Sequence, residues 1–514
     1  MKTKLFVIVS LFVFTSFTKL ISIGCYVATW GDDNNPGTEL LPFKTIQKAA
    51  DVAVGGDEIR ILRGVYNEHV IIKNSKPELL FFRAEGDSVI IDGTGFDVYW
   101  SGIIDIVGQS NIFFQGLRVI NSNGAGFWCD SSENIIFFSN STFNTASSGI
   151  AAWNSKNIKI NGNTIENACS NMSQECITVA RCDSFEVTGN KVSNCYKEGM
   201  CLKDGSSNGI VRDNTVYDVI NKLGIYVDAW DKHTFNIEVF NNLVHNCNAG
   251  VVLASEMGGL LENIWVYNNV IYDNKFLGID VSYNGDDTTV TYHPIKDVYI
   301  INNTVVKNGY EWGGGIANSN RDATNIIVRN NICSENRSFQ IAHEGINPSN
   351  MTIDHNLIWD FLEYPDEERG TDFVEADPMF VDTANKDFYL LSNSPAIDAG
   401  SPELAPDFAF RGGDRPQGKG FDIGAYEYLI LDAEEKGNNI ESIIGISPNP
   451  FSEFCTIKSD SYAVLEIFDL FGRSIIKAKG QIVWEPDGSL SQGIYFVKFK
   501  INNKTQTKPI VFLK

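Results

Sequence analysis

The sequence predicts an all-β protein: a right-handed parallel β-helix solenoid with an N-terminal capping helix, followed by a small C-terminal β-sandwich. Three observations carry this reading. A strand phrase closing on a polar pair that ends in Asn recurs through the middle of the chain. Within it Val, Ile, Phe and Tyr alternate with polar residues, the period of a strand and not of a helix. A second phrase, Gly followed by four strand residues, recurs in step with the first.

The N-terminus reads as a targeting segment. Lys2 and Lys4 precede the apolar run from Leu5 to Phe17, which is too short to span a bilayer and right for a signal-peptide core. A signal peptide over 1–24 is expected, with cleavage near Gly24 or Cys25. Ser22 stands where a lipobox prefers Leu, which argues against lipidation of Cys25. No other segment reaches spanning length, so a soluble, exported, monomeric protein is expected.

Residues 25–430 form the predicted solenoid. Pro42 to Val54 places Phe43, Ile46 and Ala50 on one helical face, suited to covering the open end of a coil stack. The strand phrase then repeats with its marker at Asn140, Asn163, Asn190, Asn214, Asn242, Asn269, Asn303, Asn331 and Asn356, spaced 23 to 34 residues apart. Such a period in strand-forming sequence signals stacked coils. The repeated Asn is expected to hydrogen-bond from coil to coil at bends, a structural role. After Asn356 the repeat dissolves into DPMF, SPAIDAG and FDIGAYEY, expected to form the other cap. A linker over 431–440 leads to a separate domain over 441–514, whose short strands and Asn-Pro and Gly turns suit a small sandwich.

Composition narrows the function classes. A net charge of −23 leaves no basic patch to neutralise phosphates, so nucleic acid is excluded as a partner. Five of the ten Cys lie between Cys169 and Cys201. No spacing suits a zinc site. Export admits one or two disulfides whose pairing the sequence leaves open.

In the second phrase the second and fourth residues should point into the core and the third and fifth outward. Stacking then aligns two outward ladders. One reads Asp130, Trp153, Ala180, Lys203, Asp228, Ala254, Ser282, Ser319; the other Trp128, Ala151, Thr178, Cys201, Tyr226, Val252, Asp280, Ala317. Trp128, Trp153 and Tyr226 offer platforms for sugar rings, and Ala180 and Ala254 leave floor space. Asp204, Trp230, Asp231, His233 and Glu256 follow in the turns, and an insertion from Tyr283 to Pro294 is placed to overhang the face. Aromatics among clustered carboxylates suit a carbohydrate chain, so a polysaccharide is the expected partner, with Trp128, Asp130, Trp153, Tyr226, Trp230, His233 and Tyr283 as its contacts. The plain alternatives are that Lys203 and Asp228 form only an exposed ion pair and that a long loop covers the outward Trp and Tyr.

Three stretches resemble known families. YVATWGDDNNPGTELLPFKTIQKAADVAVGGDEIRILRGVY resembles the N-terminal signature of secreted β-helix carbohydrate-active proteins, including lyases similar to pectate lyases. DPMFVDTANKDFYLLSNSPAIDAG with FDIGAYEY resembles the segment that closes such helices. SPNPF, EIFDLFGR and LSQGIYFVKF resemble a type IX secretion sorting domain of Bacteroidota, which implies that export machinery as a partner and a secreted or surface location. The expected function is an extracellular enzyme that cleaves a polysaccharide by β-elimination at a uronate, and the lyase resemblance implies a Lys or Arg base with calcium held by carboxylates. Lys203, its pKa lowered in a partly dry groove, then matches the base, and Asp204 and Asp231, with Asp228 and Glu256, match calcium ligands. The run of acidic residues that such families place before the base is missing ahead of Lys203. A glycoside hydrolase pairing Asp228 with Glu256 or Asp280 is the alternative, and a non-catalytic glycan-binding surface protein the third.

Overall fold

The computed structural model describes residues 22–428 apart from 74–76, 220, 283–288 and 344–349, together with most of the strands within 445–512. Most of the predicted signal peptide and the whole predicted linker lie outside these residues. The chain divides into two compact units, Met1–Ile430 and Leu431–Lys514.

The first unit is a right-handed parallel β-helix. Each coil supplies one strand to an 11-stranded parallel sheet and two to a 24-stranded sheet. One coil runs Ile225–Asp228, then Thr234–Phe240, then Leu243–His245, and every strand pairs in parallel with its counterpart one coil on. Inward residues such as Ile225, Val227, Ile237, Val239 and Val244 are fully buried in one continuous core.

The polar pair of the repeat has a physical explanation. Its first member takes a left-handed conformation at all nine bends, including Asn241, Asn268, Asn302 and Asn330 with φ between 52 and 57°, which Asn, Asp and Gly tolerate best. Its second member is the buried ladder Asn. Asn242 Oδ1 accepts from Asn214 N–H at 3.1 Å and Asn214 Nδ2 at 2.9 Å, while its own Nδ2 donates to Asn269 Oδ1 at 3.0 Å and Val211 O at 2.9 Å. The same exchange links every marker from Asn140 to Asn356. A second buried ladder, Asn274, Asn308, Asn336 and Gln340, went unread because it spans only the later coils.

The capping helix is Ile46–Val52, shorter than expected, with Thr45 accepting from Lys48 N–H as its N-cap. Phe43 lies before the helix and bridges to Val27, though Phe43, Ile46 and Ala50 are all buried as expected. The closing segment is placed differently from the expectation. It lies along the flank of several coils, with Asn268, Asn302 and Asn330 donating to carbonyls of Phe408, Asp422 and Ser401. Phe388, Phe410, Ile423 and Tyr426 cover Val270, Val306, Ile332 and Leu357 there. Outward apolar residues on those coils make the flank, as well as the end, a surface that needs covering.

The second unit has a three-stranded and a four-stranded antiparallel sheet enclosing Phe451, Ile457, Leu465, Trp484, Tyr495 and Val497, the expected small sandwich. No helix among the described residues is long and apolar enough to cross a membrane.

Candidate functional site

The 11-stranded sheet aligns the outward residues as the alternation predicts. Asp130, Trp153, Ala180, Lys203, Asp228, Ala254 and Ser282 are successive partners, beside Trp128, Ala151, Thr178, Cys201, Tyr226, Val252 and Asp280. Ala317 continues the second column opposite Asp280, and Ser319 lies one residue past the end of its strand, Ile316–Asn318.

Charge concentrates on the middle coils. Lys203 Nζ donates to Glu175 Oε1 at 2.7 Å, and Thr178 Oγ1 donates to Glu175 Oε2 at 3.0 Å. Glu198, buried on the next coil, faces Lys197 at 3.3 Å and Lys222 at 3.6 Å. Asp228 is 1% exposed and its Oδ1 accepts from Glu256 N–H at 3.2 Å. Half-buried Glu256 accepts from Tyr226 Oη at 2.5 Å. Burial pushes the Asp228 carboxyl up to about 7, aided by the Glu256 and Asp204 charges and opposed by N–H bonds from Trp230 and Glu256. Glu256 is likewise raised, first by burial and then by Glu198 against the Tyr226 bond. A buried carboxyl poised near neutrality can give or take a proton.

Several expectations need correction. Burial alone would lower the Lys203 pKa, but Glu175 foremost, with Asp204, holds it above the ordinary lysine value. A base must be neutral, so the basic role expected of Lys203 does not suit this ion pair. Its partner is Glu175, and the exposed Lys203–Asp228 pair is not formed. Trp153 does not offer a free ring face. Trp128 stacks on one side at 6.1 Å, while Lys203 Nζ and the Arg181 guanidinium lie 5.6 and 5.8 Å from its ring centre. Ala180 and Ala254 are fully buried, so they leave no open floor. Cys201, Tyr226, Val252, Ala254 and Ala317 share a small cluster with Ala249, Leu277, Phe339 and Ala342, against which Leu223, Phe276 and Tyr364 pack.

The remaining residues scatter. Asp130 accepts from Ser131 and Asn154, a turn-stabilising pattern. His233 pairs with Glu262 at 2.9 Å and stacks on Phe235, on the side of the larger sheet. Trp230 is 41% exposed in the turn between Ile225–Asp228 and Thr234–Phe240. Asp280 takes a bond from Ser319 at 3.3 Å and sits two coils beyond Tyr226, about 10 Å away by coil spacing. Tyr283 lies outside the described residues. Asp204 stands 3.7 Å from Arg181 and Asp231 pairs with Lys232 at 2.8 Å. Among the described residues no group of three or more His, Cys, Asp or Glu converges to hold a metal.

Glu175 and Glu198 escaped the sequence reading. Both stand two residues before the first core residue of their strand, Ile177 and Met200, where neighbouring coils carry Leu223 and Ala249. Extending the Gly phrase one residue upstream would have exposed the pair.

The fold and this face define a class, the exported β-helix proteins, and comparison with known proteins agrees. Residues 164–293 match the family described as right handed beta helix region, and 104–223 match the periplasmic copper-binding protein family NosD. Residues 445–513 match the secretion system C-terminal sorting domain. The chain is 27% identical over 436 residues to YwoF, an uncharacterized protein of Bacillus subtilis (strain 168), covering 72% of this chain and 91% of that one. Among solved structures, XylC in complex with xylose superposes with a TM-score of 0.53 at 14% identity, covering 79% of this chain and 98% of that one. Pectate lyase Pel9A gives 0.48 at 14% identity, over 78% and 96%. The XylC likeness establishes the β-helix fold. The C-terminal unit is a type IX secretion sorting domain, and the protein is exported to the cell surface or beyond it.

Proposed function

We propose that the protein is an extracellular enzyme that cleaves a polysaccharide by hydrolysis, with Glu256 and Asp228 as its acid–base pair. The observation that carries this reading is the carboxyl pair on adjoining coils of the outward face, with Asp228 Oδ1 accepting from Glu256 N–H at 3.2 Å and Glu256 accepting from the Tyr226 hydroxyl, in surroundings that push both carboxyls up. Glycoside hydrolysis needs one carboxyl that keeps its proton near neutral pH and a second that assists water. Glu256 is the more open of the two and faces the sugar, while Asp228, raised to about 7, is the carboxyl that exchanges a proton near neutral pH. Asp228 beneath it is the partner carboxyl, and the Tyr226 hydroxyl orients Glu256. Lys203, held as an ammonium by Glu175, favours hydrolysis over elimination because elimination at a uronate requires a neutral base. XylC is in complex with xylose, and a sugar ligand suits this face as well. No calcium enters this reading.

The test incubates the exported protein with pectic, alginate, glycosaminoglycan and neutral polysaccharides, following both reducing ends and the ultraviolet absorbance of unsaturated products. Reducing ends without absorbance are expected. Glu256→Gln and Asp228→Asn should each lower the rate by about 100-fold or more, and Lys203→Met by less. Unsaturated products, full activity in Glu256→Gln, or no cleavage of any polysaccharide would overturn the proposal.

A further inference from the structure

We infer that the exported protein carries a disulfide between Cys169 and Cys176, closing the loop that presents Glu175. The two sulfurs lie 3.4 Å apart and both residues are fully buried. The backbone already pins both ends of the loop. Cys169 N–H donates to the carbonyls of Thr145 and Ser147 at 2.9 and 3.0 Å, and Cys176 N–H donates to that of Glu198 at 2.9 Å. Closing the remaining gap to a bond of about 2.05 Å takes a movement of little more than 1 Å, within the reach of two side-chain torsions. Cys195 is the competing thiol: its side chain also lies against that of Cys176, while it donates to Ser193 O at 3.3 Å.

Export supplies the chemistry. The sorting domain sends the chain through a compartment where dithiols are oxidised by disulfide-bearing oxidoreductases. One thiolate attacks the oxidant's disulfide, and the second resolves the mixed disulfide. The protein's S–S bond forms, two protons and two electrons leave its thiols, and the oxidant is reduced to a dithiol. Burial of both sulfurs places this step during folding and shields the finished bond from reductants.

The bond has a consequence at the site. Loop residues 170–175 end on Glu175, whose carboxylate takes the bonds from Lys203 and Thr178. Asn171 N–H holds the loop's middle to Ala146 O at 2.9 Å, and Met172 is 50% exposed. A covalent tie at the loop's ends restricts the positions Glu175 can adopt, which makes the cysteine pair a positioning device for the Glu175–Lys203 pair. The bond itself stands independently of the hydrolase reading.

Peptide mapping tests it. Full-length protein is collected after export, its free thiols are alkylated in denaturant without reductant, and it is digested with trypsin. The peptide 160–181 contains only Cys169 and Cys176. It should appear unalkylated and lighter by two hydrogens, and take up two alkyl groups after reduction. A doubly alkylated peptide without reduction, or a cross-link to peptide 192–197 through Cys195, overturns the assignment. The double variant Cys169→Ser with Cys176→Ser should also show hydrogen exchange across 170–176 raised by about tenfold or more. Unchanged exchange in that variant, with an intact S–S peptide in the parent, overturns the positioning role alone.

Discussion

At the scale of single residues, Asp228 is where burial and function conflict. A carboxyl raised from 3.8 to about 7 binds its proton more tightly in the folded chain than in the unfolded one. Between pH 4 and 7 the folded state therefore holds more protons, and stability falls as pH rises through this window. Each tenfold in proton affinity is worth about 1.4 kcal/mol, so the rise amounts to a few kcal/mol, present below pH 4 and lost above pH 7. Asp228→Asn keeps the shape and removes the charge. It should unfold at higher denaturant than the parent at pH 8, and the gap should close toward pH 4. Chemical denaturation at the two pH values checks this, and an equal difference at both would show that Asp228 is not the titrating group. Stability gained where activity is lost is the expected signature of a site residue.

At the scale of elements, the coil is held by side chains that do what a backbone ladder does elsewhere. Asn242→Ala would take side-chain bonds from Asn214 N–H and Nδ2 and from Val211 O in a dry interior, and leave Asn269 Oδ1 only the backbone N–H of residue 242. A cost of about 2–4 kcal/mol follows from the loss of buried partners. Asn157→Gly, which removes one bond to Asn134 at 3.1 Å on a half-exposed left-handed bend that Gly also tolerates, should cost less than about 1 kcal/mol. Urea midpoints for the two variants settle the comparison, and equal losses would refute the ladder's role. Much at this scale was legible in the sequence, because alternation and left-handed bends are local properties. The columns containing Lys203, Asp228 and Tyr226 followed from period two alone. What covers those columns did not. Phe276, Leu277, Phe339 and Tyr364 come from connections whose lengths vary between coils, and no local rule says where they fold. For the same reason the Trp153 platform was overestimated: its position was readable, but stacking places neighbouring rings and cations on its faces.

At the scale of the whole molecule, the two units answer different needs. The solenoid holds a continuous core from Cys25 to Ile358, and the second unit has its own core from Phe451 to Phe512. A unit with a separate core can fold without its neighbour, and a sorting domain acts by being read by the export machinery, not by supporting the cargo. Deleting 445–514 should therefore leave the solenoid's unfolding midpoint unchanged while trapping the protein in the periplasm. Cell fractionation reads the location and thermal unfolding of the trapped protein reads the fold. Export without the domain would refute its sorting role, and a lowered midpoint would show that the solenoid depends on it. The net charge of −23 bears on the same step, since self-repulsion keeps a long, strand-rich chain soluble while it crosses the periplasm. Paired edges serve the same end, because each coil's strands are covered by the next and unpaired edges are confined to the ends of the stack.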